Sequence, residues 1–229
     1  MNLSSRSYRQ ELLDSRDIPF EEIKRNMAEL DVINTYLGGH AISIRGLAGF
    51  ADKNQLSVCE IGCGGGDNLA AMKKWSDKKG IRLTATGIDI KKECIDVAIS
   101  RKLGNTRWVT DDYRNIRFDI KPDVIFSSLF CHHFTDEQLV GQLKWMKHNC
   151  ATGFFINDLQ RHRLAYWLIR IITRLFSSSY LVKNDAPLSV ARGFRRKEWE
   201  GLLRQAGIIN YKIQWKWAFR YLIVFRHEA

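Results

Sequence analysis

The feature that most restricts how this chain can fold is Val58-Cys59-Glu60-Ile61-Gly62-Cys63-Gly64-Gly65-Gly66-Asp67, an apolar run that breaks into four glycines and opens a helix-like segment. Glycine allows the tight turn and leaves bare main chain for a ligand to touch, while the free amides of the following helix start can face an anion. From Leu56 onward, short β-branched or apolar runs alternate with amphipathic stretches of helix length, the pattern of βαβ units around a parallel sheet. The spacing predicts strands at Ser57–Ile61, Arg82–Asp89, Thr106–Thr110, Val124–Leu129 and Gly153–Leu159. Helices are predicted at Asn68–Lys79, Lys91–Lys102 and Asp136–His148, the last opened by a capping box at Thr135-Asp136-Glu137-Gln138. Residues 8–50 carry apolar side chains three or four apart and read as helical, with a stop at Leu37-Gly38-Gly39-His40. Residues 160–181 form an apolar stripe, followed by a loop, a short helix at Lys197–Gln205 and two strands within 208–225.

Acidic residues fall where successive strands should end. Gly87-Ile88-Asp89-Ile90 closes the second strand, and a carboxylate there can accept both hydroxyls of a ribose. Thr110-Asp111-Asp112-Tyr113 closes the third. Open α/β sheets bind their ligands at these carboxyl ends.

Taken together, Glu60-x-Gly62-x-Gly64-x-Gly66 and the acidic tips resemble the motifs of class I S-adenosylmethionine-dependent methyltransferases. The tract from Asp123 to Phe134, with its His132-His133 pair, is similar to that family's fourth-strand motif. Gly193-Phe194, Trp199, Leu202-Leu203 and Gly207 resemble its late helix before a closing hairpin. The resemblance covers roughly residues 56–225. It implies one α/β domain with a Rossmann-like seven-stranded sheet, order 3-2-1-4-5-7-6, the last strand antiparallel and helices on both sides. Residues 1–50 would be a helical cap, 56–159 the cofactor half, 160–192 a lid-like insertion and 193–229 the late helix and hairpin. The implied cofactor is S-adenosyl-L-methionine, released as S-adenosyl-L-homocysteine. Its contacts would be Glu60, Gly62, Gly64, Gly66, Asp89, Ile90, Asp111, Asp112 and Leu129, with Asp89 on the ribose and Asp111, or else Asp112, on the adenine amino group.

Methyl transfer from a sulfonium is an in-line displacement, so the protein must align two reactants, exclude water and, where needed, remove a proton. His132 and His133 follow the fourth strand and are the candidate base; the alternative is that they cap the next helix and pack. Asp158, His162, His40 and Arg192 are candidates for the acceptor pocket. Its outer walls should come from residues 8–50 and 160–192, both rich in apolar and aromatic side chains, which favours a small hydrophobic or aromatic acceptor and O-methylation. The run Leu30–His40 is similar to leaders of small-molecule methyltransferases of polyketide and quinone pathways.

The net charge of +11 is concentrated in residues 160–229, which hold 14 Lys and Arg against 4 Asp and Glu. That excess suits a nucleic-acid acceptor or an anionic membrane as well as a solvated face. Against nucleic acid, the fourth strand lacks the (Asn/Asp/Ser)-Pro-Pro-(Tyr/Phe) loop of base-methylating enzymes, and no Pro-Cys nucleophile is present. A non-catalytic partner that kept the fold is disfavoured by the intact cofactor motif. The stripe Leu164, Trp167, Leu168, Ile171, Ile172, Leu175, Phe176, edged by Arg161, Arg163, Arg170 and Arg174, reads as a lid or as an interfacial helix on anionic lipid. Five cysteines without a CxxC pair, no zinc-like or other metal set, a polar N-terminus and no run of 18 apolar residues point to a reduced cytoplasmic protein.

Overall fold

The computed structural model, which describes residues 2–228 apart from 16 and 53, holds one seven-stranded sheet in the order β3-β2-β1-β4-β5-β7-β6. The strands are β1 (Gln55–Ile61), β2 (Arg82–Asp89), β3 (Thr106–Thr110), β4 (Val124–Ser128), β5 (Gly153–Leu159), β6 (Tyr211–Lys216) and β7 (Arg220–Arg226). The first five run parallel, and β7 is antiparallel to both of its neighbours. The helices are α1 (Phe20–Tyr36), α2 (Gly39–Ala48), α3 (Asp67–Lys78), α4 (Lys92–Ser100), α5 (Asp136–Asn149), α6 (Arg163–Phe176), α7 (Tyr180–Arg192) and α8 (Arg196–Gln205). The predicted seven-stranded Rossmann-like fold is the observed one, and the predicted strands of the parallel half agree within two residues.

Burial on both faces explains the nearly continuous apolar strands. On one face Cys59, Ile61, Ile125, Phe154 and Ile156 pack against Leu139, Leu143 and Met146 of α5 and Trp199 and Leu203 of α8. On the other, Val58, Val124, Phe126 and Phe155 meet Leu47 of α2 and Leu69 and Met72 of α3. The register pairs Glu60 with Gly87 and Asp89 with Thr110, which brings the tips of β1, β2 and β3 to one edge. Thr135 and Gln138 close the capping box of α5 as its sequence predicts.

Two parts outside the sheet differ from expectation. Among the described residues of 8–19 only Leu12–Asp14 are helical, as a 3-10 turn, and α1 starts only after Pro19. The amides of Leu12 and Leu13 donate to the Asp185 carboxylate at 2.8 and 2.9 Å, a tertiary tie that competes with helix hydrogen bonds. Residues 182–192, expected as part of a loop, belong to α7 in spite of Pro187. The Ser179 hydroxyl caps it by accepting from the Val182 amide, and burial of Leu181, Val182, Leu188, Val190 and Ala191 outweighs its poor helix propensity.

Candidate active site

Along the carboxyl edge of the sheet lies a cavity of about 690 Å³, floored by the turn after β1 and covered by α1, α6, α7 and the N-terminal strap of residues 8–14. Its first end is built around the glycine turn. Asp89 braces that turn: one carboxylate oxygen accepts the Gly64 amide at 2.9 Å and the other accepts the Lys91 amide at 2.9 Å. Burial raises its pKa against these two donors. Glu60 lies fully buried beneath the turn, and among the described residues neither of its oxygens has a hydrogen-bond partner. Burial and the neighbouring carboxylates of Asp67 and Asp89 hold its pKa well above the usual carboxylate range. A side chain at Gly64 would meet nothing closer than Met27 Sδ at 3.5 Å, so bare backbone faces open space there. Gly66 serves the core: its φ of +73° is left-handed, and a Cβ would stand 2.5 Å from the Trp108 ring.

The second end gathers side chains from four elements. His132 Nδ1 meets Asp158 Oδ1 at 2.8 Å, and His132 Nε2 faces Glu11 Oε1 at 3.6 Å. Burial works against the imidazolium, yet Asp158 and Glu11 overcome it and raise the His132 pKa to about 9. The two carboxylates are in turn held below their usual range, against their own burial, by the histidines. His133 packs ring to ring on His132 at 4.5 Å, with Nδ1 3.4 Å from Asp14 Oδ1 and Nε2 3.7 Å from Glu11 Oε2. Its side chain is 23% exposed against 2% for His132, so it keeps an edge on the cavity. Arg192 donates to the carbonyls of His132 and Arg9, and the Ser189 hydroxyl donates to Glu11, which fastens the strap to α7.

Of the residues singled out in the sequence, the cavity wall includes Glu60, Gly62, Gly64, Asp89, Ile90, Leu129, His132, His133 and Arg192. The others stand outside it. Gly66 packs on Trp108. His40 is tied to Asp67 Oδ2 at 2.8 Å. Asp158 is buried behind His132, where it also accepts the Cys131 amide. His162 caps α6 from an exposed position and stacks on Phe219. Both oxygens of Asp112 are taken by Arg114, while Asp111 uses Oδ1 for the Asp112 amide and Asn115 and leaves Oδ2 open. Sequence reasoning missed Glu11, Asp14, Asn34 and Arg220. Arg220 lies in the cavity wall, 2% exposed, with Nη2 donating to Asn34 at 3.0 Å and Nη1 without a partner among the described residues; burial lowers its pKa to about 10. A charged residue at the head of the apolar run Tyr221–Phe225 was its one sequence signal, and Glu11 and Asp14 had none beyond their charge.

A sheet of this order with a glycine turn and an acidic tip on its carboxyl edge is the frame of the class I methyltransferases. Residues 58–161 match the methyltransferase domain family. Among solved structures, the plantazolicin methyltransferase BpumL is 18% identical at a TM-score of 0.64, covering 91% of this chain and 89% of its own. A SAM-dependent methyltransferase from Aquifex aeolicus is 16% identical at 0.64, covering 92% and 99%. Magnesium protoporphyrin IX methyltransferase from Synechocystis PCC 6803 is 12% identical at 0.60, covering 91% of each chain. At these identities the structures attest the fold. A search of curated proteins finds no match. Residues 58–161 thus match a methyltransferase domain, and the chain has the fold of the class I, S-adenosylmethionine-dependent methyltransferases.

The residues present fit that cofactor. A buried carboxylate without a partner calls for a cation, which Glu60 would find in the ammonium of the methionyl group. The open backbone at Gly64 leaves room for the chain that carries it.

Proposed function

We propose that this methyltransferase transfers the methyl group of S-adenosylmethionine to a small hydrophobic or aromatic acceptor, with oxygen as the favoured atom. The observation that carries the reading is one continuous cavity running from the glycine turn to the histidine pair, its far walls made of Leu30, Ile33, Leu37, Ile169 and Ile172. A volume of about 690 Å³ with few polar groups suits an apolar small molecule beside the reactive end of a cofactor. The magnesium protoporphyrin IX and plantazolicin methyltransferases, by their names, also act on small molecules.

Bound S-adenosylmethionine supplies a methyl group activated by its positive sulfur. Glu60 would hold the ammonium and Arg220 the carboxylate; among the described residues each keeps a buried atom without a partner, and both sense the charge of Asp67. Asp89 takes the ribose hydroxyls with the lone pairs left over from bracing the turn. Exposed Ile90 and half-buried Leu129 would flank the cofactor, and Asp111 would offer its oxygen Oδ2 to the adenine amino group. His133 is the candidate base for an acceptor hydroxyl. His132, with a nitrogen hydrogen-bonded to Asp158 and its proton held up to about pH 9, is a positioning residue that fixes Glu11 and, through it, the strap. A nucleic-acid acceptor is the weaker reading, because Arg161, Arg192 and Arg220 of the basic C-terminal third are buried and engaged inside the molecule.

Calorimetry with S-adenosylhomocysteine, followed by transfer of labelled methyl to a panel of phenols and hydroxyquinones, tests the reading. Micromolar binding with transfer to phenols is expected. Transfer to RNA alone would overturn it.

A further inference from the structure

One face of α6 is an exposed apolar surface. Leu164, Trp167, Leu168, Ile171, Leu175 and Phe176 are between 44% and 80% exposed on a single helix. The opposite face, Ala165 and Ile169, is buried against Val190 of α7, so the helix is anchored in the fold with its stripe turned to solvent. Spacings of i, i+3, i+4, i+7 and i+11 put Leu164, Trp167, Leu168, Ile171 and Leu175 in one band. Arg163, Arg170 and Arg174 stand at i, i+7 and i+11 and form a row along one edge of that band. Among the described residues none of the three has a carboxylate within 4 Å; Arg170 lies over the Trp167 ring at 5.1 Å. On the other edge is the cavity. Leu168 belongs both to the exposed band and to the cavity wall, and the exposed Trp217 lines the same cavity.

We propose that α6 is an interfacial helix that seats the enzyme on an anionic lipid bilayer, with the mouth of the acceptor cavity at the bilayer surface. An apolar band flanked by arginines matches the layering of acyl chains and negative headgroups. A tryptophan within it sits well at that boundary. A second copy of the chain answers this face poorly: two-fold docking would set arginine row against arginine row, and α6 has no acidic residue to meet them. Because the band runs into the cavity, a lipophilic acceptor reaches the histidine pair without crossing water. The proposal deepens the acceptor class given above and rests on that reading for its acceptor.

Co-sedimentation with vesicles of phosphatidylglycerol and phosphatidylcholine is the test. Binding should rise with phosphatidylglycerol content and fall with salt. Trp167→Glu and Ile171→Glu should each lower the partition coefficient tenfold or more, and Arg170→Gln about fivefold. S-adenosylhomocysteine affinity should be unchanged in all three, which shows the variants are folded. No sedimentation with pure phosphatidylglycerol vesicles at low salt would overturn the proposal. So would equal binding to pure phosphatidylcholine, or a stable dimer that Trp167→Glu dissociates. If vesicles bind but no lipophilic phenol is methylated, the membrane surface stands and the acceptor reading fails.

Discussion

The two ends of the cavity are built in opposite ways. The cofactor end comes from consecutive strand tips, with Glu60, Gly64 and Asp89 within 30 residues of one another and held by sheet register. The histidine end, proposed above to receive the acceptor, is assembled across the chain: Glu11 and Asp14 from the strap, His132 and His133 after β4, Asp158 from β5, Arg192 from α7. The first is backbone geometry with a few side chains attached. The second is a buried network of charges that exists only when distant segments dock, so its loss should spare the sheet and the cofactor while ending chemistry on the acceptor.

The largest effect is expected from the acceptor end. His133→Ala should reduce turnover about 10²-fold or more with cofactor affinity intact, since a positioned base contributes roughly that much. Steady-state kinetics beside calorimetry would show it. A loss of only a few-fold would mean that alignment alone drives transfer, and the contrast between the two ends would shrink.

Asp89→Ala addresses the other end. It removes the bracing of the Gly64 amide as well as the ribose contact, and charge-assisted hydrogen bonds contribute ~1.5–3 kcal/mol each. Cofactor affinity should drop about tenfold or more in calorimetry. Unchanged affinity would remove Asp89 from the site.

The network's pH dependence sharpens the comparison further. His132 is raised from 6.5 to about 9, so the stability it contributes is complete below pH 6.5 and disappears as the pH climbs through about 9. Glu11, Asp14 and Asp158 are lowered, so their contribution is present above the ordinary carboxylate range and is lost as the pH falls below it. Thermal unfolding followed from pH 6 to 10 should show a larger loss of Tm in the natural protein than in His132→Gln. Parallel curves would show that His132 does not carry the strap.

The smallest effect belongs to Asp111→Ala, which removes one exposed hydrogen bond and should weaken cofactor binding about three- to tenfold. Asp112→Ala, whose carboxylate Arg114 already occupies, should change it less. The reverse order would exchange the two roles.

By itself the sequence determined the cofactor half. A strand, a glycine turn and a helix start are local events, dictated by periodicity, by left-handed φ values only glycine adopts cheaply, and by caps such as Thr135 and Gln138. The carboxylates that end those strands share one edge because parallel strands cannot arrange them otherwise. The limits showed where a residue type had two readings. Gly66 serves the Trp108 ring, His40 pairs with Asp67 and His162 caps a helix, and nothing within a few positions of each could tell these uses from a ligand contact. Only the tertiary structure decided the histidine end. Residues 8–14 give up helix for the Asp185 carboxylate and the Glu11 contacts, and residues 180–192 become helix around Pro187 because their apolar face has a core to enter. Burying His132 between two carboxylates raises its pKa to about 9, and that shift depends on partners 26 and 121 positions away in the chain.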